Sequence, residues 1–381
     1  MYRIALNYPY TDASNVLLFR GINAYAHQHP IFEFRYFAES DESGLEELIQ
    51  WKGDGAILGL QTQEAFEQVK RAKLAVVNTS GAVDNVTVPR VYRDQREIGV
   101  QAAQYLAGLG VNQLAYVGLK EKYYSQLKWQ AFQKTSEELI KPSSCFWIDS
   151  LSGLSMEEKM LRKFRYWLKK LQPPVGILLD RDALYGFLHQ ACIQGGLRIP
   201  EDIAVIGVNN SKACNYHQVP LSSYQFINDE YGIRVMQTLH ALIENRASPE
   251  DLDVSILGVE LFERESTDVL HCDDPRLSQA VSYIKANVEE PFTIDNLLDE
   301  LNCSRRTLEN AIRKDMKCTL RDFIIQERIK RVKNLLKFNR FMDPHRLASR
   351  AGFTSARHLK DVFVKHEGCS LEEHSIKLGA I

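Results

Sequence analysis

Basic and amide side chains recur at helical spacing in the last hundred residues of this 381-residue sequence. Thr293 predicts a helix N-cap, Asn302 suits a left-handed turn, and Ser304 predicts a second cap. The helix predicted over 305–314 has its apolar residues on the inner face. Its outer face carries Arg305, Arg306, Glu309, Asn310 and Arg313. Arginine can bond a guanine edge twice and asparagine can bond an adenine edge, so this face could read base pairs. The alternative, which this helix alone leaves open, is an ordinary solvated face.

A second copy of the pattern follows about 50 residues later and weakens that alternative. After a turn at Gly352, the helix predicted over 355–366 presents Arg357, Lys360, Asp361 and Lys365 outward. One long helix, predicted over 320–338, joins the copies and carries further basic residues: Arg321, Arg328, Lys330, Arg331, Lys333 and Lys337. Two helix-turn-helix units with basic outer faces are typical of proteins that bind the major groove of DNA.

The charge of the chain is divided unevenly between its two parts. Up to Asp274 there are 27 Lys and Arg against 35 Asp and Glu, a balance of −8, and the remaining 107 residues hold 20 against 14, or +6. A basic domain beside an acidic one favours a polyanion-binding module attached to a domain with another task.

The first 220 residues alternate short apolar runs with longer amphipathic segments. The runs cover 3–7, 32–37, 55–60, 74–78, 113–118, 175–180 and 203–208. This alternation predicts an α/β fold with a parallel sheet between helices. Ligands of such sheets bind beyond the carboxyl ends of the strands, so function should lie on those loops.

No motif in this region predicts an enzyme. The glycine-rich nucleotide signatures and the serine-hydrolase elbow are missing after the strands, and His189, His217, Asp180 and Asp182 are scattered, as structural residues usually are. The seven cysteines have no zinc-type spacing, so we expect reduced thiols and neither metal nor cofactor. No apolar stretch predicts a membrane span or a signal peptide, which favours a cytoplasmic protein.

Three stretches resemble the landmarks of LacI-type sensor domains. They read VYRDQREIGVQAAQYLAGLGVNQLAYVG at 91–118, LRIPEDIAVIGVNN at 197–210 and FERESTD at 262–268. The resemblance spans about 265 residues. It implies the periplasmic-binding-protein type I architecture, in which three crossovers join two α/β lobes around a small-ligand cleft.

The same resemblance implies ligand contacts at Tyr8, Asp12, Lys128, Asp180 and Asn209. Lys128 stands where family members have an arginine, and Asn209 stands where they have an acidic turn. An amide both donates and accepts hydrogen bonds, which suits neutral polyols.

The last hundred residues resemble the DNA-binding domain of the AraC/XylS family. The landmarks are Ser304 to Glu309 (SRRTLE), Arg328, and Ala351 to Ser355 (AGFTS). By position, the groove-reading residues are Arg306 and Asn310 in the first unit and Arg357 and Asp361 in the second. With their basic neighbours, the residues expected at DNA are Arg305, Arg306, Asn310, Arg313, Arg328, Arg357, Lys360 and Asp361.

Together these features predict a ligand-responsive transcription regulator. We expect a sensing and dimerisation domain over 1–270 and an AraC-type domain over 271–381, with helix-turn-helix units at about 293–314 and 343–366. The expected partners are double-stranded DNA, a monosaccharide or derivative, a second copy of the chain and RNA polymerase, and activation of carbohydrate-metabolism genes is the expected outcome. The alternative is a small-molecule-binding protein whose tail is only a protein-interaction module.

Overall fold

A computed structural model of the chain describes residues 1–7, 15–37, 42–72, 74–84, 87–149, 156–228, 230–247, 252–269, 275–288, 292–316, 318–338 and 341–379. The chain divides into two compact units, Met1–Val269 and Leu270–Ile381. None of the helices within these ranges is long and apolar enough to cross a membrane.

The first unit contains two six-stranded sheets, each of which forms the centre of a lobe. Lobe 1 has the strand order β11-β5-β4-β3-β1-β2 and lobe 2 has the order β12-β10-β9-β8-β6-β7. All neighbouring strands pair in parallel except β10 and β12, which are antiparallel. The strands are β1 Tyr2–Asn7, β2 Phe32–Phe37, β3 Gly55–Leu58, β4 Ala75–Asn78, β5 Arg90–Arg93, β6 Gln113–Leu119, β7 Ser143–Ile148, β8 Val175–Leu179, β9 Ile203–Val208, β10 Ser222–Phe226, β11 Asp253–Ile256 and β12 Val259–Phe262.

The chain passes between the two lobes three times. It leaves lobe 1 after β5, returns after β10, and enters lobe 2 again between β11 and β12. The expected arrangement of two α/β lobes with three crossovers is therefore confirmed.

Helices cover both faces of each sheet and bury the apolar side chains of the strands. In lobe 1, α1 and α8 pack on one face and α2 and α3 on the other; in lobe 2, α4 and α5 face α6 and α7 across the sheet. The strands β8 and β9 are buried along their whole length, which explains their uninterrupted apolar sequences. These helices are α1 Val16–Gln28, α2 Glu42–Gln50, α3 Gln63–Lys70, α4 Arg96–Gly108, α5 Tyr123–Glu138, α6 Met156–Leu168, α7 Tyr185–Gly195 and α8 Glu230–Ile243.

The second unit is helical throughout its described residues. Its helices are α9 Pro275–Ala286, α10 Ile294–Leu301, α11 Arg305–Met316, α12 Leu320–Phe338, α13 Pro344–Arg350, α14 Ala356–Glu367 and α15 Leu371–Gly379. The long α12 belongs to two apolar cores, one with α9, α10 and α11 and one with α13, α14 and α15. It therefore connects two small helical bundles.

Capping residues fix the turns of both bundles. Thr293 and Asn296 form a capping box at the start of α10, and Asn302 ends that helix in the left-handed conformation with φ 46°. Ser304 Oγ accepts from Thr307 N at 3.2 Å, and Ser355 Oγ accepts from His358 N at 3.1 Å. The caps predicted at Thr293 and Ser304 are confirmed, and both predicted helix-turn-helix units are present.

Candidate functional site

A polar cleft opens between the two lobes of the first unit, at the carboxyl ends of their parallel strands. Its volume is about 380 Å³, within the range of small-molecule sites. Both lobes and the crossover after β5 contribute to its lining, which consists of Asn7, Asn15, Gly59, Gln61, Thr79, Ser80, Gly81, Arg93, Gln95, Tyr124, Lys128, Asp180, Arg181, Val208, Asn209 and Tyr231.

A buried ion pair forms part of the cleft wall. Lys128 Nζ donates to Asp180 Oδ1 and to the Asp180 carbonyl oxygen, both at 2.9 Å, and Tyr116 donates its hydroxyl to the same Oδ1 at 3.0 Å. The side chains of Lys128 and Asp180 are 2% and 0% exposed. Burial lowers the pKa of Lys128, an effect that Asp180 offsets only in part. Burial alone would raise the pKa of Asp180, but Lys128 and Arg181 together lower it, so the carboxylate is held in its ionised form.

The second carboxylate oxygen of Asp180 accepts no hydrogen bond. Asp180 Oδ2 is buried and has no hydrogen-bond partner, and its nearest cation is Arg181 Nε at 3.5 Å, which also lacks a partner. The Arg181 guanidinium donates to the Tyr124 hydroxyl and lies 5.9 Å from the centre of that ring. Burial raises the pKa of Tyr124, so its hydroxyl stays protonated. An acceptor and a donor thus lie side by side, both buried within the cleft wall.

Hydrogen bonds between the lobes close one side of the cleft. Tyr123 N donates to Ala82 O at 2.8 Å and Tyr124 N donates to Gly81 O at 2.9 Å. Lys122 Nζ donates to Gln61 O at 3.2 Å. Because α5 begins here and carries Lys128, a change in the angle between the lobes moves the cleft wall.

The turn after β9 supplies Asn209 to the cleft. Asn209 and Asn210 have φ values of 99° and 47°, in a region that asparagine tolerates better than most residues. Asp182 supports this turn from below, since it accepts from Ser211 N at 2.7 Å and from the Ser223 hydroxyl at 2.6 Å. Asp182 therefore has a structural task and does not line the cleft.

Three of the five expected ligand contacts, Lys128, Asp180 and Asn209, line this one cleft. Tyr8 and Asp12 lie outside the described residues. Arg93, Gln95 and Arg181 were not predicted from the sequence. Arg181 carried a usable signal, because it is the second residue beyond the end of β8.

The outer face of α11 in the second unit is polar and exposed. Arg306, Asn310 and Arg313 are exposed, whereas Leu308 and Ile312 are each 1% exposed and hold the helix in its bundle. Arg305, also exposed, pairs with Glu309 at 2.8 Å. The orientation expected of these side chains is the one observed.

The outer face of α14 has a similar design with different chemistry. Arg357 and Asp361 are exposed, and Lys360 pairs with Glu372 at 2.8 Å. Val364, one turn beyond Lys360 and Asp361, is 49% exposed and adds an apolar group to this face. The second face thus combines basic, acidic and apolar groups.

Arg328 lies elsewhere than the other expected DNA contacts. Its guanidinium is half-buried, 5.6 Å from the centre of the Phe292 ring, and Nε has no hydrogen-bond partner. Burial lowers the pKa of Arg328. It also borders Gly352, where a Cβ would come within 2.9 Å of Arg328 Nε. This position gives Arg328 a packing contact between the bundles, and its expected contact with DNA stays a prediction.

Two families match the two units. Residues 103–267 match the periplasmic binding protein-like domain and residues 297–375 match a helix-turn-helix domain. The chain is an AraC-type DNA-binding transcription regulator with a periplasmic-binding-protein-like sensor. It is a regulator and not an enzyme.

Two of the proteins that this regulator resembles match it over nearly its whole length. It is 24% identical to the xylose operon regulatory protein of Escherichia coli over 374 residues, which cover 96% of this chain and 94% of that protein. The structure of the xylose-binding transcription activator XylR matches with a TM-score of 0.69 and 22% identity, over 99% of this chain and 98% of that one. A LacI family regulator from Enterococcus faecium with bound ribose matches 71% of this chain and 100% of its own, with a TM-score of 0.56 and 20% identity. At these identities the solved structures establish the fold.

Proposed function

We propose that this regulator binds a sugar-type effector in the cleft and activates carbohydrate-metabolism genes from the cytoplasm as a homodimer. The observation that carries the proposal is the pair of exposed polar faces on α11 and α14, in a chain that also holds a polar cleft of monosaccharide size. The domain over 1–270 would sense and dimerise, and the domain over 271–381 would bind DNA.

The recognition helices are α11 and α14, and each carries residues for specificity and residues for affinity. Arg306 and Asn310 on α11, and Arg357 and Asp361 on α14, would contact base edges. Arg305, Arg313 and Lys360 would contact phosphates, which supply most of the affinity but no sequence information. Arg305 and Lys360 would exchange their acidic partners, Glu309 and Glu372, for phosphate groups. Four such helices in a dimer suit repeated half-sites.

The effector would act through the angle between the lobes. A small molecule bound by residues of both lobes stabilises one relative orientation, and in a dimer that orientation can set the spacing of the two DNA-binding domains. The bound ribose of the Enterococcus faecium structure and the xylose named for the XylR structure support a sugar-type effector. An activator of this kind would place RNA polymerase at the promoter.

Fluorescence anisotropy on labelled duplexes tests the proposal. The regulator should bind a duplex from its own promoter region with a steep dependence on salt, because phosphate contacts release counterions. The alternative, a tail that serves only as a protein-interaction module, predicts no binding to duplex DNA at any salt concentration.

A further inference from the structure

The recognition helices α11 and α14 follow the same plan. Ser304 Oγ accepts from the backbone N–H three residues further on, and Ser355 Oγ does the same at the start of the second helix. Counted from these caps, Leu308 and Leu359 take the same position, and both are buried in the cores of their bundles. The outer faces of the two helices can therefore be compared position by position.

The outer faces differ most at the position of Val364. Three exposed positions correspond between the helices: Arg306 with Arg357, Asn310 with Asp361, and Arg313 with Val364. At the third position the first unit has an arginine, which can bond a phosphate, and the second has a valine, whose side chain has no polar atom. Val364 therefore cannot make the phosphate contact proposed for Arg313.

Val364 continues the row of α14 residues that would contact base edges. Arg357, Asp361 and Val364 follow each other at steps of four and three residues, which places them on one line along the helix. With a rise of about 1.5 Å per residue, Val364 lies about 4.5 Å beyond Asp361 along the helix axis. Adjacent base pairs are about 3.4 Å apart, so a helix that follows the major groove would bring Val364 to a base pair next to the one at Asp361.

The chemistry of Val364 limits what it can contact in that groove. Its side chain is 49% exposed between charged and exposed neighbours, which are Lys360, Asp361 and Lys365. An isolated exposed valine is common at protein surfaces, but this one lies on the face of a recognition helix. The apolar group that the major groove presents is the 5-methyl group of thymine. Contact between the two would remove apolar surface from water on both sides, which favours binding.

We propose that Val364 recognises a thymine, through contact of its methyl groups with the thymine 5-methyl group, at a base pair next to the one that Asp361 contacts. This proposal rests on the proposed function, since it concerns the DNA bound by the same helices. It gives the second unit a preference for an A·T pair at the position where the first unit has Arg313 and a phosphate contact.

Replacement of thymine by uracil in the DNA tests the proposal on the full-length protein. Selection from a library of randomised duplexes first defines the preferred site. Each thymine of that site is then replaced singly by deoxyuridine, which pairs with adenine in the same way but lacks the methyl group. We expect one of these replacements to weaken binding about fourfold in anisotropy titrations, the factor that burial of one methyl-sized group brings.

Variants of Val364 show whether this penalty arises at the proposed contact. Val364→Ala should weaken binding to the thymine duplex about fourfold and bind the thymine and uracil duplexes equally, and its melting temperature should not change because the side chain is exposed. Val364→Thr keeps one methyl group and should keep part of the penalty. The matched control is Ile193→Ala, an exposed apolar residue on α7 of the first unit, which should keep both the affinity and the penalty.

Two results would overturn the proposal alone. They are a site at which no uracil replacement changes the affinity, and a uracil penalty of unchanged size in Val364→Ala. In both cases a selected site that is bound with a steep salt dependence leaves the regulator role intact. If the selection enriches no sequence, the proposed function fails together with this proposal.

Discussion

The ammonium of Lys128 and the carboxylate of Asp180 form an ion pair with an Nζ–Oδ1 distance of 2.9 Å, fully enclosed in lobe 2. The pair connects α5, which begins at the junction of the lobes, to the end of β8 at the cleft. It joins these two elements inside the lobe.

Lys128→Met should destabilise the first unit strongly. Removing one partner leaves the Asp180 carboxylate buried without its main counter-ion, a change that costs about 3–5 kcal/mol in comparable pairs. The double variant Lys128→Met, Asp180→Asn should recover part of that loss because no buried charge remains. Urea unfolding of the wild type, the single variant and the double variant measures their free energies of unfolding. Lys163→Met, on the exposed face of α6, is the control and should change stability by less than about 0.5 kcal/mol.

Asp180 should also contribute to the loss of stability in acid. Its pKa is lower in the folded than in the unfolded state, so the folded protein binds this proton less readily. The contribution of the carboxylate to stability is complete above the ordinary carboxyl pKa of about 4 and is lost as the pH falls through the lower folded value. The contribution of Asp182 to stability changes with pH in the opposite direction, since burial raises the pKa of this carboxyl.

Unfolding of Asp180→Asn from pH 7 to pH 3 measures this effect. The variant should be less stable than the wild type at pH 7, and the difference should shrink as the pH falls. Two parallel pH profiles would contradict this, because they would show that the pKa of Asp180 is the same in the folded and the unfolded protein.

Arg306→Ala should weaken binding to the cognate site more than binding to random DNA. A lost arginine–guanine contact costs about 1–3 kcal/mol on the cognate duplex and relaxes the preference at one base pair. Anisotropy titrations on cognate and scrambled duplexes measure both effects. Arg162→Ala, an exposed arginine on α6 of the first unit, is the control and should leave both affinities unchanged. Equal losses on the two duplexes would place Arg306 at the phosphate backbone instead.

Asp361→Asn should change the base preferred by the second recognition helix. An exposed carboxylate accepts from the amino group of cytosine, whereas asparagine bonds an adenine edge. Selection from a randomised site should therefore show one cytosine replaced by adenine. An unchanged selected sequence would remove Asp361 from the set of base-reading residues.

The sequence predicted the strongly apolar strands better than the polar ones. The seven apolar runs correspond to β1, β2, β3, β4, β6, β8 and β9, several of which are buried on both faces. The apolar pattern did not show β5, Arg90–Arg93, because it is polar, and it also left out β7, β10, β11 and β12. Arg90 pairs with Asp253 of β11 at 2.5 Å, and that partner lies 163 positions away in the sequence. Such pairing is decided by the tertiary fold.

The residues of the two candidate sites also differ in how far the local sequence determines their positions. Caps and helical spacing are local, so the outward positions of Arg306, Asn310 and Arg357 follow from the sequence. The burial of Lys128 against Asp180 depends on how α5 crosses β8, which no local pattern contains. The contact between Arg328 and the Phe292 ring was not predicted for a similar reason, because a basic residue on a long helix gives no sign of the ring beside it.

The most direct measurement of the central claim is the salt dependence of duplex binding by the full-length protein and by the double variant Arg306→Ala, Arg357→Ala. We predict that the wild-type protein prefers a promoter duplex to a scrambled one and that the logarithm of its affinity falls with the logarithm of salt concentration with a slope of about −5 or steeper, as contacts to roughly six phosphates require. The double variant should keep binding to the scrambled duplex, slightly weakened, but lose the preference. Wild-type protein that binds neither duplex, or a double variant that still discriminates between them, would contradict the account.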